Sequence, residues 1–343
     1  MTVDTTTQLP LDRPVADRSQ IGSSDVPPEV QLEDRPCPLG CLPDDAVVMT
    51  GLHDRLHKLP GQFRVVRCRH CGLMRTNPRP TPETIGYYYP DDYGPYHSTG
   101  TSCPPAHGQQ TLVRKIVRRF FDERHTQIPS MPVGRVLEVG CASGNFLQEL
   151  RRQGWEAHGI EFNAEAALRA NAAGFPVHTG QLEQAPPPSQ PFDLVVGWMV
   201  LEHLHEPVNA LRKLHEWTRP GASLALSVPD CGTWEMKAFR RHWYSWHIPN
   251  HLYHFNRETL AKVLSAAGWS LVDVRNHRDL WPARHSIIHL IKDPHAVSPL
   301  TRRLLDGISN LLVPGWSWRP LASALAPLGQ TGSMTVLARR TDE

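Results

Sequence analysis

The sequence predicts a doubly wound α/β sheet preceded by a small metal-binding module. Three observations predict it. A short apolar run, Arg135 to Val139, breaks at Gly140-Cys-Ala-Ser-Gly144 and resumes as a helical pattern from Asn145 to Gln153. That order of strand, glycine turn and helix is a nucleotide-binding crossover, whose free N–H groups favour an anion. Strand-like and helical runs then alternate as far as Arg340, the pattern of a sheet covered on both faces. Ahead of all this stand two close cysteine pairs, Cys37/Cys41 and Cys68/Cys71, a grouping that suits tetrahedral thiolate ligation.

A chain of 343 residues with 40% apolar content can bury a sizeable core, and its length fits one large domain plus a smaller module. The formal charge of +2 is near balance, which argues against a strongly basic nucleic-acid face or an acidic tail. Met1 to Gln20 is polar and lacks the apolar segment of a secretory leader, and no run of 18 apolar residues exists. A reducing, cytoplasmic setting is therefore expected. The seven cysteines read there as metal ligands or buried small residues rather than disulfides.

From the N-terminus, Met1 to Asp34 is rich in Thr, Asp, Pro and Ser and lacks periodicity, so it reads as a disordered tail. Residues 35–98 are expected to form the module and a tyrosine-rich leader. Cys37-Pro-Leu-Gly-Cys41 and Cys68-Arg-His-Cys71 are separated by 26 residues, and Gln62 to Arg67 alternates like a strand leading into the second pair. Gly72 supplies the tight turn of a metal knuckle, and His70 is a spare ligand. A structural zinc on Cys37, Cys41, Cys68 and Cys71 would stabilise a module too small to fold on its own core. Leu112 to Thr126 reads as an amphipathic helix with a basic face, and the main domain is taken as residues 110–343.

Within the main domain, Trp155 to Ile160 reads as the second strand with Glu161 at its end, 21 residues after Gly140. An acidic residue at about that distance commonly holds ribose hydroxyls. Phe192 to Gly197 reads as the fourth strand, Ala222 to Val228 as the fifth, Trp269 to Arg278 as the sixth and Gly332 to Arg339 as the last. Histidines and aromatics crowd Asp230 to Phe255, between the fifth strand and a helix from Arg257 to Ala267. Residues 281–330 form a further insertion with helical patches at Leu304 to Val313 and Leu321 to Leu328. That insertion is expected to cap an acceptor pocket, ahead of a homodimer face or a membrane-surface contact.

Glu138-Val-Gly-Cys-Ala-Ser-Gly144 resembles motif I of the class I S-adenosylmethionine (SAM) methyltransferases, with Ala142 in place of the middle glycine. The run Cys68-Arg-His-Cys-Gly-Leu73, Asn77-Pro-Arg-Pro-Thr-Pro-Glu83 and the tyrosines after it resemble the leader of a bacterial group of these enzymes that carries an N-terminal zinc-ribbon-like module. The resemblance implies a Rossmann-like seven-stranded sheet with an antiparallel last strand. It also implies cofactor contacts from Glu138, Gly140, Ala142, Gly144 and Glu161, from Gln181 and Leu182 near the adenine, and from Trp198. Tyr93 and Tyr96 would lie over SAM or the acceptor. Val200-Leu-Glu-His203 resembles the segment after strand four in ubiquinone-pathway O-methyltransferases, and the histidine insert resembles an acceptor-binding segment. His203 and then His251 are the candidate general bases, since neutral imidazole can accept a hydroxyl proton near pH 7. A metal held by Glu202 and His203 lacks evident further ligands in the sequence. Trp246, His247 and Tyr253 are candidates to contact the acceptor.

The function expected is methyl transfer to oxygen, or secondarily carbon, of a small molecule such as a sugar or secondary metabolite. One alternative is an RNA base methyltransferase with a zinc ribbon, against which stand the charge balance and the lack of an Asn/Asp-Pro-Pro-Tyr/Phe segment. The other is a non-catalytic SAM-binding zinc protein.

Overall fold

The computed structural model describes residues 25–90, 128–311 and 315–341. Seven strands form the main sheet: β6 (Arg135–Val139), β7 (Glu156–Glu161), β8 (Val177–Thr179), β9 (Phe192–Trp198), β10 (Thr218–Pro229), β12 (Trp269–Asn276) and β13 (Ser333–Arg340). Their spatial order is β12-β13-β10-β9-β6-β7-β8, and only β13 runs against its neighbours. The order reverses beside β6, so ligands are expected in the crevice at the carboxyl ends of β6 and β9. The central strands are apolar on both faces because helices cover both, and every residue of β6 is buried.

Helix α1 (Asn145–Arg152) turns Leu147 and Leu150 onto the sheet, and α2 (Ala164–Ala172) turns Ala166, Ala167 and Ala170. Helix α3 (Pro207–Glu216) begins with proline at its first turn, where no N–H is needed, and buries Val208, Leu211 and Leu214. The short α4 (Trp234–Phe239) follows β10, and α5 (Arg257–Ser265) starts in a reciprocal Asn256/Thr259 capping box. Three helices fill the last insertion: α6 (Trp281–Lys292), α7 (Pro299–Leu311) and α8 (Gly315–Leu325). No described helix is long and apolar enough to cross a membrane.

The N-terminal segment carries β2 (Asp45–Leu52), β3 (Phe63–Cys68) and β4 (Met74–Thr76). Their sheet gains a fourth strand, β11 (Tyr253–His254), from the histidine insert of the main domain. The backbone link continues beyond β11, since Thr76 N donates to Leu252 O at 2.9 Å and Leu252 N donates to Glu202 O at 2.8 Å. One continuous apolar core runs from Phe63, Leu73 and Tyr88 through Leu252 and Phe255 to Val195 and Leu224. The module is thus packed into the main domain rather than tethered beside it.

The boundary expected for the N-terminal tail lies too late. Residues 25–34 belong to the fold: β1 (Leu32–Glu33) pairs with β5 (Arg79–Pro80), and Glu33 forms an ion pair with Arg79 at 2.8 Å. A two-residue strand is too short to leave a periodic trace in the sequence. The helix expected over residues 112–126 lies outside the described residues.

Candidate active site

The turn after β6 is wound through left-handed backbone at Gly140 (φ 72°), Ala142 (φ 45°) and Gly144 (φ 81°). Glycine suits the first because a Cβ there would lie 2.5 Å from Val200 Cγ2. Ala142 bears its side chain in that conformation at a cost of about 1–2 kcal/mol. The Glu161 carboxylate holds it in place, since Ala142 N donates to Oε2 at 2.8 Å and Asn163 N donates to Oε1 at 2.8 Å. The same Asn163 caps α2 by accepting from Ala166 N at 2.9 Å. Each Glu161 oxygen retains acceptor capacity toward a ligand hydroxyl.

Glu138 lies one strand away, 3% exposed, and its Oε2 has no hydrogen-bond partner. Burial, and then the nearby Glu161, push its carboxyl well above the ordinary range. Trp198 at the end of β9 buries an unpartnered Nε1 and meets Phe146 edge-on at 5.3 Å. Gly180 N donates to Glu161 O at 2.8 Å, which brings the following half-buried Gln181 and buried Leu182 to the same rim. The crevice therefore offers buried acceptors, an orphaned indole N–H and a backbone turn open to a ligand. Those groups fit a cofactor that carries an ammonium and vicinal hydroxyls, as SAM does.

A histidine cluster lies beside this crevice. A short turn at Leu201–His203 follows β9 and carries Glu202 and His203 inward. His203 Nδ1 lies 3.0 Å from Asn250 O and 2.8 Å from Tyr89 Oη. A carbonyl oxygen only accepts, so the ring proton belongs on Nδ1 and Nε2 keeps its lone pair. His251 stacks edge-on at 4.7 Å from His203, places Nδ1 2.9 Å from Ser245 O, and places Nε2 3.2 Å from His247 Nδ1. Burial holds all of them uncharged: His203 is depressed to about 3, His247 and His254 to about 4 and about 3, and His251 well below its usual range.

Glu202 is fully buried, and neither of its carboxyl oxygens has a hydrogen-bond partner. Burial pushes it up to about 8. The sequence shows no third donor beside Glu202 and His203, but the fold supplies one. Ligand atoms of Glu202, His203 and His251 lie within 4.8 Å of one another.

The acceptor-side expectations fare unequally. His247 and Trp246 both line an open cavity. Trp246 is 4% exposed, donates Nε1 to Arg240 O at 2.7 Å and packs against Trp243. Tyr253 is 2% exposed, and its hydroxyl binds Arg79 and His205 O, each at 3.0 Å. The Tyr253 ring is spent on the join between module and main domain, because β11 became a sheet strand there. Tyr93 and Tyr96 lie outside the described residues. Among the described residues a tyrosine that reaches the cluster is Tyr89, visible in the sequence only as the last of Tyr87-Tyr88-Tyr89.

The four thiols of Cys37, Cys41, Cys68 and Cys71 come within 4.8 Å of one another, with Cys37 Sγ and Cys71 Sγ at 3.5 Å. Sulfurs around a tetrahedral zinc with Zn–S bonds of about 2.3 Å stand about 3.8 Å apart, so the donor set fits. The knuckle closes through Gly72 N, which donates to Cys68 O at 2.9 Å. His70 is exposed and outside this set.

Residues 106–274 match a family model described as a methyltransferase domain. Among curated proteins the chain is similar to a malonyl-[acyl-carrier protein] O-methyltransferase of Enterobacter lignolyticus, at 26% identity over 44% of this chain and 61% of that protein. It is also similar to a ubiquinone biosynthesis O-methyltransferase of Hahella chejuensis, at 30% identity over 32% of this chain and 47% of the relative. The chain thus spans about half to three-fifths of the length of these two relatives. A SAM-dependent methyltransferase from Mesorhizobium loti aligns with a TM-score of 0.42 and 16% identity, covering 66% of this chain and 97% of that one. Residues 106–274 thus match a methyltransferase domain, and these two relatives, which the chain resembles over part of its length, are O-methyltransferases.

Proposed function

We propose that the chain transfers a methyl group from SAM to an oxygen of a small-molecule acceptor, with His203 as the base. The observation that carries this reading is the pairing of His203 Nδ1 with Asn250 O, which leaves Nε2 as a lone-pair acceptor beside the crevice. SAM supplies an electrophilic methyl carbon on its sulfonium. The chain's own work is alignment, exclusion of water and removal of the acceptor's proton. Glu138 and Glu161 orient the cofactor, and the buried insert keeps water away. An imidazole depressed to about 3 is a weak base in the empty site. Glu202 stands where its carboxylate, once formed, would become the counter-ion of protonated His203.

Mass spectrometry of products formed from labelled SAM and candidate hydroxylated acceptors tests the reading. Label on an acceptor oxygen is expected; label confined to RNA would overturn it. Carbon is the second choice of acceptor atom, and an acceptor already activated as an enolate would need His203 less.

Glu161→Ala is expected to weaken SAM binding by about 10- to 100-fold, because charged hydrogen bonds to two hydroxyls are lost along with the anchor of Ala142. Calorimetry reads this directly, and unchanged affinity would place the ribose elsewhere. We further assign a structural zinc to the four thiols. Purified protein should carry about one zinc per chain, and Cys68→Ser should lose it together with much of the fold. Metal content unaltered by that substitution would refute the assignment.

A further inference from the structure

A small cavity of about 20 Å³, at the base of a recess of about 350 Å³ that includes open solvent, lies between the β2–β3 connection and the histidine insert. Arg55 and Arg241 stand on its walls beside Trp243, Tyr244, His247 and His289. Among the described residues neither guanidinium forms an ion pair or a hydrogen bond. Burial lowers Arg55; Asp293 opposes that from a distance, and the positive charge of Arg241 adds to it. Asp293 is itself engaged by His242 at 2.9 Å. Asp54, the nearest acid in sequence, is 2% exposed and accepts from the backbone N–H groups of Leu56, His57 and Leu59 at 2.9, 3.1 and 3.2 Å.

The carboxylate that could have neutralised Arg55 is thus consumed in shaping the turn that presents it. Two like charges held on one cavity with no carboxylate paired directly to either favour an anion between them. The cavity also shares a wall with the base: His247 lines it and hydrogen-bonds His251 at 3.2 Å, and His251 lies 4.7 Å from His203.

We propose that Arg55 and Arg241 dock an anionic group of the acceptor, a phosphate or a carboxylate, beside the aromatic wall of Trp243 and Tyr244. This rests on the reading that the histidine insert serves the acceptor. An acceptor so anchored is oriented before its hydroxyl reaches His203, and the aromatic wall favours a ring next to the anionic group.

The test is calorimetric binding of inorganic phosphate and of succinate, at low salt, to the full chain and to Arg55→Gln, Arg241→Gln and the double variant. SAM affinity is measured in parallel as the folding control. At least one probe should bind the parent chain and bind the double variant at least tenfold more weakly, with SAM affinity unchanged. The probe that binds more tightly identifies phosphate or carboxylate. Equal binding to parent and double variant, or no binding to the parent, overturns the proposal. Because these measurements involve no methyl transfer, they stand or fall apart from the assignment of His203 as base. Once an acceptor is in hand, the double variant should raise its KM at least tenfold and leave kcat close to the parent value; a change confined to kcat would also count against docking.

Discussion

Replacing His203 with alanine is expected to cut turnover by ~100- to 10,000-fold while leaving SAM affinity intact. The loss should be in kcat if, as proposed, the imidazole takes the acceptor proton as the methyl moves. The histidine is uncharged throughout the neutral range, being depressed to about 3 by burial. Its folded-state value lies below its unfolded value near 6.5, so acid favours the unfolded chain, which binds more protons. Falling pH from about 6.5 should therefore cost stability through His203, His247, His251 and His254 together, all of which are depressed. An acid limb in the activity profile should accordingly coincide with unfolding monitored by circular dichroism. Parent-like turnover of His203→Ala across the neutral range would remove the base assignment. His251→Ala, one ring further back, should lose less.

Arg79→Ala should destabilise the fold by about 3 kcal/mol, the lower end expected for breaking a buried ion pair. The Arg79 side chain is 3% exposed and pairs with Glu33 at 2.8 Å and Glu206 at 3.5 Å. It also donates to His205 O at 2.8 Å and to Tyr253 Oη at 3.0 Å. One guanidinium therefore ties β1, the start of α3 and β11 together, and truncation strands several acceptors at once. The lower end of the range is chosen because Glu33 and Glu206 side chains are 23% and 35% exposed and can rehydrate. Urea denaturation measures the effect, with SAM present and absent. A loss below about 1 kcal/mol would show that the pairs are already well solvated.

The parts of the fold that the sequence disclosed are those whose signal is local. The apolar run into Gly140-Cys-Ala-Ser-Gly144, the periodic helix behind it and Glu161 at the next strand end each speak within a few residues, and they reappear as β6, α1 and β7. Strand β8 has three residues, Val177–Thr179, too few to show alternation. The contact between Tyr89 and His203 spans 114 positions, and that between Arg79 and Tyr253 spans 174. Nothing in a single sequence ties such residues together. Tyr253 reads as an acceptor contact for the same reason: an aromatic in a histidine-rich insert reads alike whether it faces a pocket or a neighbouring sheet. Arg55 drew no notice because an isolated arginine in a loop is ordinary until its neighbours are known.

The strand that β11 contributes to the N-terminal sheet gives the two halves of the site different foundations. The proposed cofactor contacts rest on β6, β7 and the turn between them, all inside the parallel sheet. The proposed acceptor side rests on a loop whose other edge is β4, which ends immediately before Asn77. A chain begun after Pro90 would keep the first foundation and lose the second, and it would expose β11 as an unpaired edge over an apolar surface. Exchanging N-terminal segments among related chains would therefore transplant the edge that carries β11 along with the thiols, and a fusion joined between them would have to carry residues 247–254 across as well.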